Sequence, residues 1–332
     1  MPSKPSGMAL IRTHGLEASE WSVFLITLPP LTVFALGYYL FDVIGFVFYS
    51  YAIQDLLSSK SLVDKSAAIN SGVLWGATAH FYLIASLGVM AVLIGWQRRK
   101  VRGLAALPFN ILATCLSVVG VAFLLSVDFQ DRPLRAIFMI TFRSLERQPL
   151  LGDGARLWDI QATLSIINLL SIVIPAMLCA FLPILLLKPR EGWNKDLLYE
   201  RALDLRLFGC VGSVFMVAGV LHMFAWMAWA SDLLNQAKLQ ILVSSVTFYW
   251  ACVWTLMLAV LYLPVLLILN ILAGRMMEAE AIPIKDRGQW LTDYGVSFKI
   301  MTQLPQLLTI LAPLISAPLT KILTGLPQLY GK

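Results

Sequence analysis

Charge is what this sequence has least of. Only 13% of its 332 residues are Asp, Glu, Lys or Arg, against about 25% in soluble domains. With 59% hydrophobic residues and a mean hydropathy of +0.78, the deficit excludes an ordinary soluble domain. Cysteine is scarce too. Cys115, Cys179, Cys210 and Cys252 each fall in a different apolar segment. They form no CxxC pair and no zinc-ligand spacing, so they read as buried thiols that pack as small hydrophobes.

Several motifs are missing. There is no phosphate-cradling GxxxxGK[ST] loop, no GxGxxG after a strand, no HExxH and no GxSxG. No TVGYG-type filter or Arg-rich voltage sensor occurs. Strict barrel alternation and an internal repeat are also lacking. Lys4 and Arg12 are too sparse for a nucleic-acid arm. The first 20 residues are polar and lack the apolar core of a cleavable leader, so the first span is expected to act as an uncleaved signal.

What is present is six apolar segments, each near the roughly 20 residues a bilayer core requires. They fall near Trp21–Ser50, Ser71–Trp96, Gly103–Val127, Ile160–Leu187, Leu207–Ala230 and Ile241–Ala273. Backbone groups in lipid must pair within their own segment. The fold class is therefore all-α: a polytopic transmembrane bundle of about six spans. An amino-terminal segment 1–20 precedes the 21–273 transmembrane domain, and a tail, 274–332, follows it.

Arg98, Arg99, Lys100 and Arg102 form a basic run between two spans. Such a run anchors topology on the cytoplasmic side. Alternation then puts both termini and the loop Lys188–Arg206 on that side, with 17 Lys and Arg there and 8 opposite. The expected setting is a bacterial-type inner membrane. Trp21 and Trp96 are expected at the inner interface, and Trp75, Trp158, Trp226 and Trp229 at the outer one. In the outer loop 128–159, Leu134, Ile137, Phe138, Thr141, Phe142 and Leu145 make a helical apolar face, which predicts an interfacial helix. Asp196, Glu200 and Asp204 form an i, i+4 stripe that reads as a solvated face beside Lys195, Arg201 and Arg206.

Prolines interrupt several segments: Pro29-Pro30, Pro175 with Pro183, and Pro264. They read as ordinary kinks. In the tail, Ile300–Thr320 is uncharged but holds Pro305, Pro313 and Pro318. A broken amphipathic or apolar segment, docked on membrane or on a cytoplasmic protein, is expected there rather than a seventh span.

Ionisable residues inside a bilayer are costly and turn toward the bundle. Asp42, His80 and His222 qualify, at roughly 9, 13 and 12 Å from the outer ends of their spans at 1.5 Å per residue. Asn168 enters from the same side. These four are expected to form one polar layer that relays protons or holds a cation; the alternative is one interhelical hydrogen bond each. A shorter first span would instead leave Asp42 among headgroups. Gly72, Gly76 and Gly88, and Gly212 and Gly219, lie on faces suited to close helix packing.

No resident cofactor or metal is expected. The leading functional expectation is a non-enzymatic membrane subunit that oligomerises, alone or with a membrane-complex partner, and forms or gates an ion path regulated through its tail. A proton-coupled transporter using Asp42, His80 and His222 is the second. A redox subunit with a haem between His80 and His222 is the third.

Overall fold

The computed structural model describes residues 18–58, 65–126, 133–146, 155–188, 192–234, 237–297 and 300–330. Almost all of the expected amino-terminal segment, and both flanks of the outer loop, lie outside them. Every regular element described is helical. Six helical stretches are long and apolar enough to cross a membrane: Trp21–Ile44, Ile69–Lys100, Gly103–Leu125, Leu157–Leu186, Lys195–Leu234 and Leu239–Ala279.

A 3-10 turn, Ala18–Thr27, leads into α1 (Leu28–Ser58). Pro29 and Pro30 sit in the first turn of α1, where no intrahelical N–H partner is lost. They mark a helix start rather than a break. Helix α2 (Lys65–Lys100) ends on the basic run, and α3 (Leu107–Leu125) follows. The connection between α3 and the next long helix, expected on the outer side, folds as α4 (Pro133–Glu146). Then α5 (Ala155–Phe181) passes through Pro175 and ends in a 3-10 turn, Leu182–Leu186, that begins with Leu182-Pro183.

The centre of the bundle is α6 (Lys195–Leu234), which packs against α2, α4, α5 and α7 (Ala237–Ala279). Helix α1 packs on α7 and α4, and α3 on α5. Gly120 sets the α3–α5 spacing: a Cβ there would lie 2.5 Å from Ile172 Cγ2. Gly120→Ala is therefore expected to destabilise the bundle by about 1–3 kcal/mol, read as a lower melting temperature in detergent.

At 1.5 Å per residue, α6 and α7 are about 60 and 65 Å long, twice the hydrocarbon thickness. The start of α6 and the end of α7 meet at the basic end. There Lys195 pairs with Glu280 at 2.5 Å. A short helix, α8 (Ile284–Asp293), closes with Gly295 at φ +72°, and Val296 N–H returns to Leu291 O at 3.0 Å. Two side chains hold this turn: Arg206 Nη2 donates to Gly295 O at 3.3 Å, and Asn270 Nδ2 to Val296 O at 2.9 Å.

The tail departs from expectation. It is one helix, α9 (Ile300–Tyr330), unbroken by its prolines, and it packs along α6 and α7. Tyr262 Oη donates to Gln303 Oε1 at 3.2 Å near the basic end, while Ala317 meets Val220 and Ala251 far along both helices. Gln303, Ile310, Pro313 and Ala317 face inward; Leu304, Leu308, Leu311 and Ile315 face out. A proline removes one donor from a helix but leaves its packing face intact, and neighbouring membrane helices support such interruptions.

The face of α4 predicted for the lipid interface is turned onto protein instead. Ile137, Ile140 and Leu145 are buried where α4 covers α6 and α1.

Candidate functional site

Helices α2 and α6 are antiparallel and in contact from one end of the bundle to the other. Ser71, Trp75, Tyr82, Ser86, Val89, Leu93 and Trp96 recur at spacings that sum to whole turns and make one buried face of α2. Contacts with α6 fall in residue number as those in α2 rise. Ser71 Oγ donates to Asp232 Oδ2 at the end far from the basic run. Trp75 stacks on Trp229 at 5.4 Å and meets Trp226 at 5.3 Å. Tyr82 meets Phe215 at 5.4 Å, and Trp96 meets Phe208 edge-on at 4.7 Å. Gly72 admits the Trp229 ring, 2.9 Å from where a Cβ would stand, and Gly219 lies 3.2 Å from Trp254 by the same measure. Gly212 approaches Leu258 equally closely.

His222 sits inside this seam. Its ring lies 6.4 Å from that of Trp75 and 5.7 Å from that of Tyr82. The residue is only 4% exposed, and neither Nδ1 nor Nε2 has a hydrogen-bond partner among the described residues. Trp75 Nε1 and Ser231 Oγ are likewise buried and unbonded. Helix α4 covers the seam on this side of His222: Thr141 Oγ1 donates to Trp226 O at 2.9 Å, and Trp226 Nε1 to Phe138 O at 3.1 Å.

Below Ser86 the α2 face turns apolar, with Val89 and Leu93 both buried. Beyond them lies a charged layer. Trp96 Nε1 donates to Asp204 Oδ1 at 2.8 Å. Lys100 pairs with Asp204 at 2.7 Å and with Glu200. Arg201, also buried, has Nη1 3.7 Å from Asp204 Oδ2. So the acidic stripe is not a solvated face throughout: Asp196 is exposed, but Asp204 is buried and clamped. Its i, i+4 carboxylates opposite a basic run were the available signal.

Of the expected four-residue layer, His80 does not meet His222. His80 is exposed. It stands five residues after Trp75 and two before Tyr82, so at 100° per residue it faces away from both. Helix α2 thus lies between His80 and His222, and no single haem within one chain can be ligated by both. Asp42 is half-buried on α1, beside Phe41, which packs on Tyr249 and Trp250. Asn168 is half-buried on α5, where its carbonyl accepts from Ser171 Oγ at 2.7 Å. Gly76 and Gly88 have nothing within 4 Å of an added Cβ and line the exposed face that bears His80.

Of the basic run, Arg98, Arg99 and Arg102 are exposed and only Lys100 is drawn into the bundle. Among the described residues, no three His, Cys, Asp or Glu form a metal-binding group.

The tryptophans also differ from expectation. Trp75, Trp96, Trp226 and Trp229 are interior, and only Trp21 and Trp158 are exposed. Trp96 and Trp226 have hydrogen-bond partners inside the protein, so they gain nothing from an aqueous interface.

The chain matches no family model, no curated protein and no solved structure.

Proposed function

We propose that this chain is a non-enzymatic multi-pass membrane subunit that forms or gates a proton path, with His222 as the group that takes up and releases the proton. The observation that carries this reading is the buried imidazole with neither nitrogen bonded. Structural glue requires a bond, and His222 makes none among the described residues. A buried polar group left unbonded costs about 1–3 kcal/mol, a cost that function explains.

The seam supplies the rest. Asp232 and Ser71 mark its outer end. Trp75 Nε1 and Ser231 Oγ are further polar atoms that water could use. In this reading the buried Val89 and Leu93 are the apolar stretch that bars water from the basic end. Helix α9 supports gating by the tail, since Ala317 packs against Val220, two residues from His222. A lipid-facing histidine is costly; the Gly76, His80, Ile84, Gly88 face therefore favours a second copy of the chain covering α2. The transporter reading loses its support, because His80 does not meet His222.

The test uses the purified chain in liposomes that enclose a pH-sensitive dye, with a potassium diffusion potential as the driving force. Proton entry above that of empty liposomes is expected, falling to the empty-liposome rate in His222→Phe. Equal rates in the two proteins, or no flux from correctly inserted wild type, would overturn the proposal.

A further inference from the structure

Helix α9 begins at the basic end of the bundle. Tyr262 on α7 donates to Gln303 there, and Gln303 Nε2 donates to Ser297 O at 2.7 Å. Fourteen residues after Gln303, Ala317 meets Val220 on α6 and Ala251 on α7. At 1.5 Å per residue that is an advance of about 21 Å. Val220 lies well inside the apolar segment Leu207–Ala230, and Ala251 well inside Ile241–Ala273. The helix does not stop at that level. It continues for 13 residues to Tyr330, about 20 Å more. From Val220, α6 has 14 residues left before it ends at Leu234, and Ala251 stands 14 residues from the start of α7 at Ala237. Each of those distances is about 21 Å. Helix α9 therefore ends level with the turn between α6 and α7, far from the basic run.

Its composition permits this course. Ile300–Thr320 holds no charged residue and is as long as the roughly 20 residues a hydrocarbon core requires. Lys321 is the one charge in the 31 residues of α9. Three of its polar side chains are bonded within the protein: Gln303, Thr309 to Pro305 O at 2.8 Å, and Ser316 to Pro313 O at 2.7 Å. Such bonds replace water in a membrane helix. The outward row of Leu304, Leu308, Leu311 and Ile315 continues the exposed apolar surface of α7 at Leu256 and Leu263.

We infer that α9 is a seventh membrane-crossing helix. Its inner row is held by α6 and α7, its outer row meets lipid acyl chains, and the chain ends on the side opposite the basic run. A segment docked on the bilayer surface, or on a protein at the basic side, has no route to Val220. A re-entrant segment has to turn back, and α9 is continuous. The basic side still keeps 15 of the 25 Lys and Arg once Lys321 and Lys332 leave it, so the positive bias survives. A soluble partner on that side can then reach α8 but not the length of α9. None of this depends on whether His222 carries a proton.

The test places single cysteines in the full chain, with the four native cysteines replaced by Ala. Arg99→Cys marks the basic end, Gln236→Cys the turn between α6 and α7, and Lys332→Cys the end of the chain. A membrane-impermeant maleimide is applied to cells producing each variant, before and after permeabilisation. Lys332→Cys is expected to label from the same side as Gln236→Cys, and Arg99→Cys from the other. Labelling of Lys332→Cys from the side of Arg99→Cys overturns the inference. Failure to label it from either side does so too, since a spanning α9 delivers Lys332 to water.

Discussion

His222→Phe is expected to fold at least as stably as wild type while losing proton conduction. The phenyl ring keeps the contacts with Trp75 and Tyr82 and brings no buried nitrogen. Removing an unbonded polar group relieves about 1–3 kcal/mol, offset in part by the slightly larger ring in a packed seam. The net expectation is a melting temperature in detergent equal to wild type or a few degrees higher. Most core substitutions destabilise by 0.5–3 kcal/mol, so this variant should stand out. A marked loss of stability would mean that the imidazole makes a structural bond, and the functional reading of His222 would fail with it.

Lys100→Met is expected to act in the opposite direction. Asp204 is 8% exposed, and Lys100 is its close cation. Removing one partner from a buried pair typically costs 3–5 kcal/mol, because the other charge stays buried. Arg201 remains 3.7 Å away, so the lower end, about 3 kcal/mol, is expected. Adding Asp204→Asn should recover only part of it, since the amide oxygen can still accept from Trp96 Nε1 but the buried Arg201 then loses its carboxylate. Arg98→Gln and Arg99→Gln, on exposed residues of the same run, should shift stability by no more than about 0.5 kcal/mol. Thermal unfolding of the five proteins checks this, and similar effects from all the cations would contradict the buried-clamp account.

The contrast between Lys100 and its neighbours shows what the sequence could convey. Span number and place were legible, because a bilayer demands a length of apolar chain whatever the fold. Relative level along the bundle can be read too: His222 meets Trp75 and Tyr82, which flank His80 in sequence. Direction around the helix axis cannot. Lipid tails are as apolar as Leu, so Val73, Phe81 and Leu87 on the outside of α2 resemble Val89 and Leu93 on the inside. With no polar face to mark solvent, the sequence of α2 does not tell His80 from Trp75.

The tail failed for a different reason. Pro305, Pro313 and Pro318 are breaks only in an isolated helix. The inward row of Gln303, Ile310, Pro313 and Ala317 lets α6 and α7 support α9, and no propensity of the segment alone conveys that support. Likewise, the amphipathic face of α4 was correctly placed on the helix, but its partner is protein. An apolar stripe alone does not say whether lipid or Trp226 lies beneath it.

The measurement that tests the central claim most directly is silver-ion access to His222→Cys, made in a background with Cys115, Cys179, Cys210 and Cys252 replaced by Ala. Ag⁺ reaches a thiol wherever water does, and it can be supplied from one side of a sealed vesicle at a time. The account predicts that Ag⁺ reacts from the side of Asp232 and not from the side of Arg98 and Arg99. No reaction from either side, or reaction only from the basic side, would contradict an outer water path that ends at His222.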